Sequence, residues 1–135
     1  MPEHVIRLRG GWLWYDVEPP ADAAAGGTGR RVALPIAWPE PARAIRTAWL
    51  VRSFGAPPLE DPRQGVSLRL EQVGGLRSAR LNGRELARPA PGTNSLEIAL
   101  PGSLPPRNTL VLEVDPRGLE PGPEAWGLIA LVIRE

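Results

Sequence analysis

Apolar and polar residues alternate one by one along several short stretches of this chain, and glycine and proline close each stretch. Val66, Leu68 and Leu70 face one way while Ser67, Arg69 and Glu71 face the other, which is the period of a strand with one side buried. Residues 78–81 repeat the pattern with Ala79 and Leu81 inward. Asn82-Gly83 then supplies a two-residue hairpin turn, because both residues tolerate positive φ, and residues 84–87 return. Leu96, Ile98 and Leu100 alternate again, as do Leu110, Leu112 and Val114 against Val111, Glu113 and Asp115. Residues 5–8, 12–18, 31–34, 47–54 and 126–134 complete the strand candidates. Residues 42–50 have the composition of a helical turn, but a strand from Thr47 onward fits better. No stretch keeps a helical period for ten residues without Gly or Pro. Residues 21–28 read as a loop, rich in Ala and Gly with nothing large to bury. The pattern predicts an all-β protein, a sandwich or barrel of about eight to nine short antiparallel strands.

Length and composition narrow this further. The chain has 135 residues, the size of one domain, and 1–135 is expected to be a single sandwich because neither half holds enough strands to close its own. The absence of cysteine excludes disulfides, cysteine-ligated zinc, iron–sulfur clusters and thiol catalysis. A single histidine, His4, excludes a multi-histidine metal site within one chain. All sixteen basic residues are Arg, which removes lysine Schiff-base chemistry. Sixteen basic against fifteen acidic residues leave a net charge of +1, too little for a nucleic-acid partner. The N-terminus carries no basic stretch followed by an apolar run, so no secretory signal is read and a cytoplasmic location is expected. The longest apolar run, residues 128–133, is too short to cross a bilayer, and no membrane partner is expected.

Four segments, in order, resemble the N-terminal sugar-binding domain of glycoside hydrolase family 2, the group of β-galactosidases, β-glucuronidases and β-mannosidases. Gly11-Trp12-Leu13-Trp14-Tyr15-Asp16 is similar to the family's opening Gly-x-Trp-x-aromatic strand. Trp49-Leu50-Val51-Arg52-Ser53-Phe54 resembles its Trp-Tyr-Arg-Arg-Thr-Phe strand. Residues 66–70, Val73, and Ser78-Ala79-Arg80-Leu81-Asn82-Gly83 resemble its alternating strand, turn, and strand ending in Leu-Asn-Gly. Residues 96–100, a Pro-rich turn and Asn108-Thr109-Leu110-Val111-Leu112-Glu113-Val114 resemble the pair that closes on Asn-Thr-Leu-x-Val-x-Val. The resemblance runs from Gly11 to Ile133 and implies a galactose-binding-domain-like, jelly-roll β-sandwich. In the family this domain precedes a catalytic barrel that carries two glutamates, and those have no counterpart here. The domain is therefore expected to stand without the barrel. Where the family's closing strand carries an aromatic and an Arg facing the rest of the enzyme, this chain has Ile129 and Ala130, so it is not expected to serve a barrel in the usual way.

Candidate chemistry centres on tryptophan, because the apolar face of a pyranose stacks on an indole. The resemblance turns Trp12, Trp14 and Trp49 into the core. Trp38 and Trp126 sit beside loop residues and are the candidates for exposed stacking surfaces. Arg77, Arg80, Arg84 and Arg88 gather around the Asn-Gly hairpin. Arg84 and Arg88 are candidates for contacts to sugar hydroxyls, although a solvated face of mixed charge, neutralised in part by Glu71 and Glu85, is the favoured reading. Calcium often accompanies this type of module, but Asp16, Asp22, Asp61 and Asp115 lie in different segments without ligand spacing, so no cofactor and no metal site is indicated. His4 is the only base available to the serines. Glu60 and Asp61 are adjacent in an extended loop and point apart, so no catalytic residue is assigned and the chain is not expected to be an enzyme. The expectation is a non-catalytic carbohydrate-binding sandwich with a sugar or a glycosylated partner. The alternative is a structural or self-associating module, supported by the apolar character of both faces in residues 12–17 and 128–133.

Overall fold

The computed structural model describes residues 3–19, 29–36, 47–59, 63–102, 104–115 and 126–134. Among these, ten strands form: β1 His4–Arg7, β2 Trp12–Tyr15, β3 Arg30–Val32, β4 Ala48–Gly55, β5 Gly65–Glu71, β6 Leu76–Leu81, β7 Arg84–Ala87, β8 Ser95–Ala99, β9 Arg107–Val114 and β10 Leu128–Arg134. They pair antiparallel throughout in two sheets. One has the order β1-β10-β5-β8 and the other β3-β2-β4-β9-β6-β7. The result is the β-sandwich expected from the alternation. Its neighbours in each sheet are mostly distant in sequence, as the crossing connections of a jelly roll require.

The period of two decides which residues meet between the sheets. Trp12 and Trp14, Ala48 and Leu50, Ala79 and Leu81, and Leu110, Leu112 and Val114 turn inward from the six-stranded sheet. Val66, Leu68 and Leu70 with Ile129, Leu131 and Ile133 meet them from the four-stranded sheet. Trp49 corrects the expectation that it is a core residue. It pairs with Tyr15 and Glu113, one position out of step with Leu50, so the alternation that buries Leu50 turns Trp49 to the outside. There it joins Leu13, Tyr15, Val51 and Val111 in a second apolar cluster on the outer face. Ile129, expected where the family faces its enzyme, points into the core instead, while Ala130 faces out.

Two polar joints tie together the segments that carry the family resemblance. Arg52 sits at the end of the sandwich. Its Nε donates to the Gly10 carbonyl at 2.6 Å, and its Nη1 donates to the Ser53 carbonyl, which fixes the turn into β2. Burial lowers the Arg52 pKa from its ordinary value, since the cation loses part of its hydration. The second joint is Asn82 with Asn108. Asn82 (φ 53) and Gly83 (φ 82) form the β6–β7 turn in the left-handed conformation that these residues accept. The Asn82 Oδ1 accepts from the Thr109 amide at 2.9 Å, and its Nδ2 donates to the Asn108 Oδ1 at 3.0 Å. Asn108 is 1% exposed, and its Nδ2 donates to the Pro105 carbonyl at 3.0 Å and the Phe54 carbonyl at 3.4 Å. Leu-Asn-Gly and Asn-Thr-Leu are thus the two halves of one structural clasp.

Candidate functional site

The outer face of the four-stranded sheet combines a paired charge lattice with an open groove. Register sets its rows. Val5, Val132, Ser67 and Ala99 lie across β1-β10-β5-β8, and Arg7, Ala130, Arg69 and Glu97 lie beside them. Val132 is fully buried although it faces outward. The lattice that spans this face consists of Glu3, Arg69, Glu97 and Arg134. Arg134 holds Glu97 through two bonds, Nη1 to Oε2 at 2.5 Å and Nη2 to Oε1 at 3.1 Å, and its Nε donates to Glu3 at 3.0 Å. Arg69 donates to Glu3 at 3.1 Å and to Glu97 at 3.2 Å. The hydrogen bond from Arg69, followed by that from Arg134, holds the Glu3 carboxyl below its usual pKa. The bond from Arg134, followed by that from Arg69, does the same for Glu97. The apolar outer side of β10 is covered in this way by arginines that bring their own counter-charges.

Beside the lattice is a groove of about 400 Å³. Ala130 and Leu128 line it from β10, Arg7 and Arg9 from β1 and the residues just after it, Arg69 and Glu71 from β5, and Leu34 and Pro35 from the chain that closes its end. The small Ala130 side chain between Arg7 and Arg69 leaves the space. The Leu34 amide donates to the Arg9 carbonyl at 2.7 Å and the Leu8 amide to the Ile129 carbonyl at 2.9 Å, so the Arg9 backbone is anchored on both sides. Arg69 is positioned by the lattice, and Glu71 stands 4.0 Å from it with half of its side chain exposed. An apolar floor with a few fixed polar groups on its rim is the composition of small-molecule sites.

The residues singled out from sequence do not build this groove. Trp38 lies outside the described residues. Trp126 is 4% exposed, which corrects its reading as an exposed stacking surface. It precedes β10 and makes a single bridge with Ile36, and its indole Nε1 donates to the Gly74 carbonyl at 2.8 Å, so its ring is part of the core. Arg84 and Arg88 are exposed on the edge hairpin. Arg88 pairs with Glu85 at 2.9 Å. Arg84 lies opposite Leu81, whereas Trp126 bonds to Gly74 beyond the other end of β6, so these two candidates are not brought together. Arg77 and Arg80 meet Glu113, and Arg80 also meets Glu18 at 3.4 Å. Glu71, expected among these arginines, belongs to the other sheet. Of the aspartates considered for calcium, Asp22 and Asp61 lie outside the described residues, as does Glu60, and Asp16 accepts the Trp14 indole N–H at 2.9 Å. Among the described residues no three His, Asp or Glu side chains converge on a common point. Arg7 and Arg9 went unnoticed in the sequence. Their spacing in Val5-Ile6-Arg7-Leu8-Arg9 was the available signal, because alternate positions of an extended chain share a face.

Neither a protein-family model nor a curated protein sequence matches the chain. Solved structures do. A β-glucuronidase from Bacteroides uniformis aligns with a TM-score of 0.68 at 20% identity, over 98% of this chain and 18% of its own. A β-glucuronidase from Bifidobacterium dentium, in complex with coumarin-3-O-glucuronide, gives 0.72 at 17% identity, over 97% of this chain and 30% of its own. A β-glucuronidase of glycoside hydrolase family 2 gives 0.73 at 14% identity, over 98% and 18%. At these identities the likeness establishes a shared fold, and the chain spans less than a third of the length of each of these glycosidases.

Proposed function

We propose that this chain is a non-catalytic accessory sandwich of the glycoside hydrolase family 2 type that binds carbohydrate along the outer face of its four-stranded sheet. The groove carries the reading: Ala130, Leu128 and Pro35 offer an apolar surface to the C–H face of a sugar ring, while Glu71 and Arg69 offer partners for its hydroxyls. The fold relatives supply the context, since each is a glycosidase of which the chain matches a domain-sized part. Calorimetric titration with galactosides, glucuronides, mannosides and plant-polymer fragments tests the reading. A saturable response that an Ala130→Trp variant abolishes is expected, because the larger side chain fills the floor. A flat response across the panel at millimolar ligand overturns it.

A second reading, self-association through the six-stranded sheet, is favoured by one observation. On the outer face of that sheet the Trp49 Nε1 is buried and has no hydrogen-bond partner among the described residues, amid Leu13, Tyr15, Val51 and Val111. An unmet indole N–H costs free energy that a carbonyl from a neighbouring chain would recover. Sedimentation over a range of concentrations separates the two readings. A dimer lost in Trp49→Arg supports the second, and a monomer at all concentrations removes it.

A further inference from the structure

We infer that the groove is a receptor for the carboxylate of an acidic sugar, with Arg7 and Arg9 as the residues that hold it; the inference rests on the carbohydrate-binding reading of the same groove. Two of the acidic side chains on this sheet face are already engaged. Glu3 and Glu97 are both shared between Arg69 and Arg134. The hairpin arginines Arg77, Arg80 and Arg88 have carboxylates of their own. Among the described residues, no hydrogen bond or ion pair engages the guanidinium of Arg7 or Arg9, although both line the groove. Two residues apart on an extended chain, their Cα atoms are separated by about 6.6–6.8 Å. That spacing lets two guanidinium groups converge on one carboxylate, each presenting a planar pair of donors.

The rest of the groove suits the sugar that would carry this carboxylate. Leu128, Ala130 and Pro35 form an apolar surface beside the arginines. Across from them Glu71, half exposed and only 4.0 Å from Arg69, accepts hydrogen bonds from hydroxyls and repels a second anion. An anionic end therefore belongs at Arg7 and Arg9, and the hydroxylated ring extends toward β5. A neutral sugar would leave the two cations without a counter-charge. A simple carboxylate would leave the apolar floor and Glu71 unused.

The test is a titration of the full chain, by calorimetry, with glucuronate and galacturonate oligosaccharides, their neutral glucose and galactose counterparts, and acetate. The uronides are expected to bind about tenfold or more tightly than the neutral sugars, with the preference shrinking at high salt. The double variant Arg7→Gln, Arg9→Gln is expected to remove the preference while neutral-sugar binding and melting temperature stay as they were, because neither side chain holds the fold together. Arg84→Gln, on the distant hairpin, leaves the preference intact. Equal affinity for uronides and neutral sugars overturns the assignment of the carboxylate and leaves the carbohydrate reading standing. Acetate binding as tightly as the uronides overturns the sugar's part in it. No response to any sugar overturns both.

Discussion

Replacing Asn108 with Ala isolates the clasp between the β6–β7 turn and β9. The side chain is 1% exposed and makes three hydrogen bonds, two at 3.0 Å and one at 3.4 Å. The two shorter bonds are worth about 1 kcal/mol each net, and the long one less. Truncation also leaves the Phe54 and Pro105 carbonyls short of a donor, whereas the Asn82 amide is exposed and can turn to water. The sum is a loss of about 2–3 kcal/mol. With a urea m-value of about 2 kcal/mol/M, the midpoint of unfolding falls by about 1–1.5 M at unchanged slope. Asn108→Asp is expected to cost more than Ala at neutral pH, because a buried carboxylate would face two carbonyl oxygens it cannot donate to. A double-mutant cycle with Asn82→Ala supplies the sharper reading. The direct Asn82–Asn108 bond predicts a coupling of about 0.5–1 kcal/mol between the two sites. A loss below about 0.5 kcal/mol for Asn108→Ala, or strict additivity in the cycle, refutes the view that these residues hold the fold together.

Three further outcomes are expected. A Cβ on Gly29 would lie 2.7 Å from the Tyr15 ring, so Gly29→Ala forces the ring off its cross-strand seat and costs about 1–3 kcal/mol in thermal or urea unfolding; an unchanged midpoint contradicts this packing. Glu3 and Glu97 have pKa values lowered below the ordinary 4.5, so they contribute stability that is present above about pH 4.5 and lost as the pH falls through their lower folded values. Melting curves from pH 7 to pH 2.5 are expected to fall less steeply for Glu97→Gln than for the parent, and superimposable profiles rule out a contribution from the lattice. Trp126→Phe keeps an aromatic ring in the core but strips the Gly74 carbonyl of its donor, a loss of about 1–2 kcal/mol read in urea; a surface role for Trp126 predicts no change.

The fold was legible because alternation is a local property. In residues 66–71 and 110–114 each side chain's face follows from its neighbours, and the structure keeps those faces. Trp49 was placed in the core by the resemblance, and alternation could not correct it. A strand apolar on both sides has no alternation to read, and only pairing with Tyr15 and Glu113 shows which side is out. The site was the harder part. Trp126 stands next to a glycine in a loop-like setting, and nothing nearby in sequence reveals that Gly74 takes its indole N–H. Arg84 and Arg88 attracted notice by density along the chain. Arg7 and Arg9, which line the groove and among the described residues have no ion-pair partner, are identified only once the carboxylates of β8 and the N-terminus are seen to belong to others.

The sequence by itself determined an all-β sandwich, its hairpin at Asn82-Gly83 and most of its inward residues, because strand period, turn chemistry and the positions of glycine and proline act over a few residues. It also excluded thiol, lysine and polyhistidine chemistry by composition alone. Tertiary structure decided which charges cancel. Glu3, Arg69, Glu97 and Arg134 meet across four strands from distant parts of the chain, and an ion pair between residues as far apart as Glu3 and Arg134 leaves no mark on the sequence near either. It also decided where the groove lies, since the floor comes from β10, one wall from the region of β1 and the other from β5, and a concave surface exists only after sheet order has brought those strands together.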